Sequence, residues 1–165
     1  MVTLVVEDGT GLSNANTYIT VEEAKEYASQ RGIDLGSDDA ISANLILSAD
    51  YMETRGPYKG KVINVDQALE FPRTDLEYRG QSISGVPGNV KKAQAQLLLD
   101  IKSSGALLTS SRQYALKRRK LEGLEQEYAV GSYAAYSPQA VHTIYDNLMS
   151  PFIVGGGSSQ TYCYR

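Results

Sequence analysis

Few residues of this chain could do chemistry, and their spacing does not bring a reactive set together. His142 is the only histidine and Cys163 the only cysteine among 165 residues. This excludes a metal site built on two histidines. We expect His142 to be a half-exposed residue of a helix, which is a poor position for a general base. Nothing can hold a base beside a thiol so close to the end of the chain. We predict no catalytic residue, no cofactor and no metal site, although a mechanism that uses carboxylates alone stays open.

A glycine-rich turn is the first candidate for ligand binding. The β-branched run Val2–Val6 predicts a strand, and Asp8-Gly9-Thr10-Gly11 predicts a tight turn after it. Glycines allow backbone N–H groups to approach a phosphate closely. However, no lysine follows at P-loop spacing and Gly-x-Gly-x-x-Gly is absent. A plain hairpin turn is the favoured interpretation.

The densest basic run is Lys117-Arg118-Arg119-Lys120, with Tyr114 and Tyr128 near it in sequence. Basic and aromatic side chains together can bind nucleic acid. Three glutamates follow at once, at positions 122, 125 and 127, so their charges largely cancel the basic ones within a Debye length. We therefore prefer a solvated, charged surface, and take Arg118 and Arg119 as candidates for ion pairing with a neighbouring copy.

Composition narrows the class of protein further. The formal net charge is −3 and the pI about 5.2, which excludes a broad basic face for general nucleic-acid binding. The chain has twelve Tyr, two Phe and no Trp, a bias that suits surfaces buried on association. No apolar run approaches the roughly 18 residues of a membrane span, and no signal peptide is recognisable. We expect a protein made in the cytoplasm, with no membrane contact.

Helical periodicity predicts a mainly α fold, a small bundle of about four helices. Thr20 and Glu23 form a capping box that begins the first helix, and Ser37 precedes the second. Pro87 begins the third helix, and Ser137-Pro138 begins the last. The predicted domain spans residues 1–154, with its helical core at about 20–105 and its last helix at 138–149. The inward stripes of the second and third helices are Ile41, Leu45, Ala49 and Met52, and Val90, Ala93, Leu97, Leu98 and Ile101.

Three segments lack clear helical periodicity. Residues 57–86 predict a long extended loop with a small hairpin near Leu76, and loops of that length are usually functional. Residues 112–136 permit a helix or a strand, of which we favour an extended hairpin. Residues 155–165 predict a flexible C-terminal arm, because Gly155 begins a Gly-Ser linker.

Two of these segments supply candidate protein-interface residues. In Phe71-Pro72-Arg73, the proline holds the aromatic residue extended and a cation follows. This motif favours either an interface or a loop pinned to the core through Leu69 and Phe71. Apolar and aromatic groups on a tether tend to order on a partner. The C-terminal candidates are Phe152, Ile153, Tyr162, Tyr164 and Arg165.

The order of several short motifs resembles that of a known family. They are Val6–Gly11 with Asn14, Asn16 and Thr17-Tyr18, then Val21–Ala24, Leu45–Tyr51, Gln67-x-Leu-x-Phe-Pro-Arg73 and Pro87-x-x-Val90-x-x-Ala93. Together they resemble phage neck proteins that are often labelled "DnaT-like single-stranded DNA-binding". Phe71 stands where that family commonly has Trp. The resemblance implies a helical core with extended arms and supplies no catalytic residues.

The function that the resemblance implies is a head-to-tail adaptor of a tailed phage, located in the neck of the virion. Such adaptors form a ring, typically a dodecamer, under the portal protein and bind a stopper or tail-terminator protein. Genomic double-stranded DNA passes through the ring without sequence-specific binding, as an acidic channel would allow. The alternative takes the label literally, as a primosomal replication protein that binds single-stranded DNA. An enzyme is the least favoured class.

Overall fold

A computed structural model describes residues 3–104, 118–121, 124–127 and 142–155, with side chains for 3–103 and 142–155. The chain divides into two compact units. The first, the main unit, comprises residues 1–107 and 142–165, and the second comprises residues 108–141. The main unit contains the four helices of the described residues, and the second contains one hairpin.

The first two helices begin where the sequence predicts. α1 spans Val21–Ser29, and Thr20 and Glu23 make both hydrogen bonds of the capping box. α2 spans Asp38–Glu53 and follows Ser37, whose side chain makes no capping hydrogen bond. Acidic residues in the first turn stabilise each helix, because their negative charge lies near the positive end of the helix dipole. The whole predicted stripe of α2 is buried, which confirms that prediction.

The third helix is the centre of the main unit. α3 spans Gly88–Ser104 and packs against α1, α2 and the last helix. Its residue Gln94 is fully buried, where its amide accepts from the Tyr18 N–H and donates to Thr17 Oγ1 and the Leu45 carbonyl, at 2.9–3.0 Å. A buried amide with all these partners fixes α3 against α2 and the segment before α1.

Three two-stranded antiparallel sheets accompany the helices in the part of the chain that the structure describes. β1 (Lys61–Val62) pairs with β2 (Arg73–Thr74). β3 (Leu76–Tyr78) and β4 (Gln81–Ile83) form a hairpin. Arg79 and Gly80 both have positive φ at its turn, as a two-residue hairpin of type I′ requires. β5 (Arg118–Leu121) and β6 (Leu124–Glu127) form the hairpin of the second unit.

The expectation of a mainly α bundle is therefore wrong, and the fold is mixed α and β. The hairpin predicted near Leu76 is confirmed by β3 and β4, and the one favoured within residues 112–136 is confirmed by β5 and β6. The pairing of β1 with β2 is not visible in the sequence, because two residues are too few to show a period of two. The predicted strand Val2–Val6 is also not formed over its described residues, 3–6. Val6 makes only an isolated parallel bridge to Thr17.

The last helix begins later than the sequence predicts. α4 spans Thr143–Met149, with His142 at its N-cap, and positions 138–141 lie outside the described residues. Tyr145 and Met149 of α4 are buried in the larger of two apolar clusters, which also contains Phe71 and Phe152. The smaller cluster lies between α1, α2 and α3.

Candidate interaction surface

The backbone N–H groups of the glycine-rich turn bind a carboxylate of the same chain, that of Glu7. The Glu7 carboxylate accepts hydrogen bonds from the N–H groups of Gly9, Gly11 and Leu12 at 2.8–2.9 Å. Glu7 is 1% exposed. The N–H groups that could bind a phosphate are therefore occupied by a buried carboxylate, and the turn is structural.

His142 is buried, so the expectation of a half-exposed histidine is wrong. It lies just before α4 rather than on its outer face, and its Nδ1 is 2.7 Å from Asp100 Oδ2 on α3. The ring of Tyr51 meets the imidazole edge-on at 5.3 Å. Cys163 lies outside the described residues. Among the residues that are described, no group of three His, Cys, Asp or Glu could hold a metal ion.

Phe71 and Pro72 lie in the core, so neither offers a surface to a partner. Phe71 is 1% exposed, and its ring contacts those of Tyr18, Tyr58 and Phe152 edge-on at 5.0–6.3 Å. Their assignment as interface residues is corrected. The loop is pinned through Leu69 and Phe71, the other role that the sequence allowed, because an aromatic cluster buries more apolar area than an exposed ring would.

Arg73 is bound within the same loop. Its Nε donates to the Lys59 carbonyl at 2.8 Å and its Nη2 to the Gly60 carbonyl at 3.1 Å. Its Nη1 pairs with the Glu70 carboxylate, and the Arg73 side chain is 11% exposed. All of these partners belong to the loop, so the guanidinium closes it instead of facing a neighbour.

The segment before the C-terminal arm, residues 152–154, is hydrogen-bonded to the start of the long loop, residues 57–59. The Lys59 N–H donates to the Phe152 carbonyl at 2.7 Å, and the Val154 N–H donates to the Pro57 carbonyl at 2.9 Å. Phe152 is 1% exposed and Ile153 is partly buried beside Tyr58. An interface role for Phe152 is corrected for the same reason as for Phe71, whereas Ile153 is only partly buried and remains a candidate. Tyr162, Tyr164 and Arg165 lie outside the described residues.

A partly buried carboxylate, that of Glu53, joins α2 to the segment around Phe71. Glu53 Oε1 accepts from the Tyr18 hydroxyl and Oε2 from the Glu70 N–H, both at 2.8 Å. The Tyr18 hydroxyl in turn accepts from the Phe71 N–H. The pKa of Glu53 is raised to about 7, chiefly by burial. The two hydrogen bonds that its carboxylate accepts lower the pKa, whereas the nearby charges of Glu70 and Asp50 contribute to raising it.

The exposed part of the segment is the projecting loop, which we define as Lys61–Asp66. It presents three β-branched apolar side chains to solvent, because Val62 is 42%, Ile63 44% and Val65 90% exposed. Scattered exposed hydrophobic residues are ordinary, but three within four positions concentrate exposed apolar side chains in one short segment. This segment is therefore a candidate for protein interaction.

The projecting loop is held in one conformation by Gln67 and Asn64. Gln67 Oε1 accepts from the N–H groups of Ile63 and Asn64 at 3.0–3.1 Å, and Gln67 Nε2 donates to the carbonyls of Leu69 and Pro72. The Asn64 amide reaches the Gly11 carbonyl. Valine and isoleucine side chains have few rotamers, so a surface built this way loses little entropy on binding.

Three residues of the basic run, at positions 118–120, lie on β5, and the register places acidic residues opposite two of them. Arg118 is opposite Glu127 and Lys120 is opposite Glu125, while Arg119 is opposite Gln126. Opposite charges on paired strand positions stabilise a hairpin. The run is thus matched by charges of its own hairpin, which weakens it as a track for phosphates.

Exposed aromatic rings are scarce among the residues with described side chains. Of the eight there, six are buried, and the partly exposed ones are Tyr27 and Tyr78. The Arg31 guanidinium lies 3.4 Å from the Tyr27 ring centre, and that of Arg79 lies 5.1 Å from the Tyr78 ring centre. Lys92 lines a shallow cleft with Tyr27. Within the described side chains, a cation thus lies beside a partly exposed ring at both Tyr27 and Tyr78.

Sequence reasoning missed the projecting loop and chose its buried neighbour. The feature that could have revealed it is Val62-Ile63-Asn64-Val65, where three β-branched apolar residues occur within four positions of a segment that has no helical periodicity. In the described residues, no helix has the length and apolar character needed to span a membrane.

The comparison with known proteins identifies one family. The chain matches no curated protein and no solved structure. A family model described as "Putative DnaT-like ssDNA binding protein" matches residues 2–165, nearly the whole chain. The protein therefore belongs to this DnaT-like family.

Proposed function

We propose that the protein is a non-catalytic structural component of a tailed-phage virion, a head-to-tail adaptor in the neck. In this role several copies form a ring that contacts the portal protein on one side and a stopper or tail-terminator protein on the other. The proposal starts from the ordered motifs that resemble phage neck proteins, from Val6–Gly11 to Pro87–Ala93. In this role the protein binds other proteins and needs no cofactor.

The observation that carries the proposal is the projecting loop. An apolar patch that is exposed in the single chain, and held rigid by Gln67 and Asn64, is what a protein that assembles from copies or partners requires. Val65, at 90% exposure, is the most exposed of these side chains and would gain most from burial against a partner.

Charge supports the same role. Residues 3–104 and 142–155 carry ten Lys and Arg against sixteen Asp and Glu, so this part of the chain is acidic. An acidic ring repels duplex DNA and lets it pass without adhering, whereas tight DNA binding would need a basic face.

A second candidate is single-stranded DNA binding, which the family description names and therefore favours. The local observation in its favour is the surface around Tyr27, Arg31 and Lys92, where a ring and cations lie together. Against it, Lys91 in the same cleft is already paired with Glu23, and Arg31 already covers a face of the Tyr27 ring.

The adaptor proposal is tested on particles. We expect the protein to co-purify with mature virions in several copies, and imaging of the neck to place it between the portal and the tail. Virions assembled without it should retain full heads that do not join tails. Finding the protein only in infected-cell lysate, and absent from virions, would overturn the adaptor role.

The second candidate is tested with purified full-length protein and a fluorescent single-stranded oligonucleotide. Single-stranded DNA binding predicts an anisotropy change at low salt that disappears as salt rises, and that Tyr27→Ala and Lys92→Ala both weaken. The adaptor proposal predicts no saturable change. Lys61→Ala, in a basic side chain remote from Tyr27 in sequence, serves as the matched control.

A further inference from the structure

A cleft lies beside the turn between α1 and α2, apart from the projecting loop. It has a volume of about 470 Å³. Ile33 and Leu35 give it an apolar floor, and Ile33 remains 36% exposed. The residues that line it are Lys25, Ser29, Gly32, Ile33, Asp34 and Leu35.

The cleft and the projecting loop belong to different parts of the main unit. Leu35 packs against the smaller apolar cluster, between the first three helices. The projecting loop is fixed to Gly11 through Asn64, and its continuation enters the larger cluster at Leu69 and Phe71. One chain thus has an apolar projection and an apolar cleft made by separate segments.

The charges around the two features are complementary. The projecting loop has Lys61 at one end, with its side chain 82% exposed, and exposed Asp66 at the other. Lys25 and Asp34 line the cleft. In the single chain Lys25 pairs with Asp38 and Lys61 with Asp75, both as exposed surface pairs, so the contact would exchange these partners. Opposite charges around an apolar centre fix the register of a contact and disfavour other partners.

From this pairing we infer that the projecting loop of one copy binds the cleft of the next copy, with Val65 in the cleft and Lys61 and Asp66 facing Asp34 and Lys25. The inference rests on the proposed function, because it names the contact that would join copies into a ring. A contact between two different surfaces of the same chain is heterologous, and it closes into a ring when the rotation between copies permits.

The test is disulfide trapping in full-length protein that lacks the natural thiol. Three variants are made in a Cys163→Ser background, namely Val65→Cys, Ile33→Cys and Val154→Cys. Val154 is the matched control, since it is an apolar residue that is 54% exposed and lies outside the proposed contact. Mixed pairs are oxidised at the highest soluble concentration, and the disulfide-linked dimers are quantified.

We expect the mixture of Val65→Cys with Ile33→Cys to give several-fold more dimer than Val154→Cys with Ile33→Cys. A chain with both Val65→Cys and Ile33→Cys should form linked oligomers larger than dimers. Adding Asp34→Lys to the Ile33→Cys chain should reduce the dimer, and adding Lys61→Glu to its partner should restore it. Dimer yields equal to those of the Val154 control would overturn the inference.

The outcome separates this inference from the function on which it rests. If the protein is found in the necks of virions and only the specific dimer is missing, copies join through another surface and the adaptor role stands. If the specific dimer forms while the protein is absent from virions, the contact is real and the adaptor role fails.

Discussion

The two halves of residues 61–73 behave in opposite ways although they adjoin in sequence. The anchored half, Gln67–Arg73, buries its aromatic ring and neutralises its cation within the loop. The projecting loop, Lys61–Asp66, leaves three aliphatic side chains in water. The anchored half makes the projecting loop rigid, chiefly through Gln67. One half therefore supports the structure, and the other is available for binding.

The largest effect should come from removing the ring that holds the anchored half. Phe71→Ala should lower the free energy of unfolding by about 3–5 kcal/mol, because it leaves a cavity among Tyr18, Tyr58 and Phe152. Urea unfolding followed by circular dichroism measures the change. The control, Val65→Ala in the projecting loop, should change stability by less than about 0.5 kcal/mol. Equal losses in both variants would contradict the division into two halves.

Arg73→Met should have the next largest effect, a loss of about 2–3 kcal/mol. It keeps much of the side-chain volume but leaves the Glu70 carboxylate and the Lys59 and Gly60 carbonyls without the guanidinium. The same unfolding measurement applies, with Lys61→Met as the control at an exposed cation. A loss no greater than that of the control would show that Arg73 does not close the loop.

The pH dependence of stability should reveal the Glu53 contact to the anchored half. The pKa of Glu53 is raised from 4.5 to about 7 on folding, so the folded state holds this proton more tightly than the unfolded state. The stability it contributes is complete below about pH 4.5 and is lost as pH rises through about 7. Glu53→Gln cannot ionise and should flatten this decline, gaining on the order of 1–2 kcal/mol over wild type above pH 7.

Unfolding curves of both proteins across this pH range test the prediction. Glu77→Gln, at an exposed carboxyl on β3, is the control and should leave the decline unchanged. If Glu53→Gln and wild type declined in parallel, some other group would be responsible for the pH dependence.

Val65→Asp should have the smallest effect on folding and a large effect on assembly. A side chain that is 90% exposed gains a charge without leaving a buried gap, so stability should change by less than about 0.5 kcal/mol. The charge would oppose burial against a partner. Incorporation of the variant into virions, measured against Val154→Asp, should fall. Normal incorporation would remove the projecting loop from the assembly surface.

Sequence was sufficient for the features that depend on neighbours along the chain. The Thr20 and Glu23 capping box and the buried stripe of α2 follow from spacing, because a helix brings residues three and four apart together. The β3–β4 hairpin is likewise local and was predicted, but the pairing of β1 with β2 was not, because Lys61 and its partner Thr74 lie far apart along the chain. Spacing alone does not show such pairs.

What the sequence determined by itself is the set of reactive groups, the acidic charge and the motifs by which the family is recognisable. Only the tertiary structure decided which of the apolar residues in the long loop are buried. Phe71 and Val65 are both apolar, but Phe71 meets Tyr18 and Phe152 from other segments, whereas Val65 stays exposed. Burial depends on what the rest of the chain brings to a position, and that is a property of the fold.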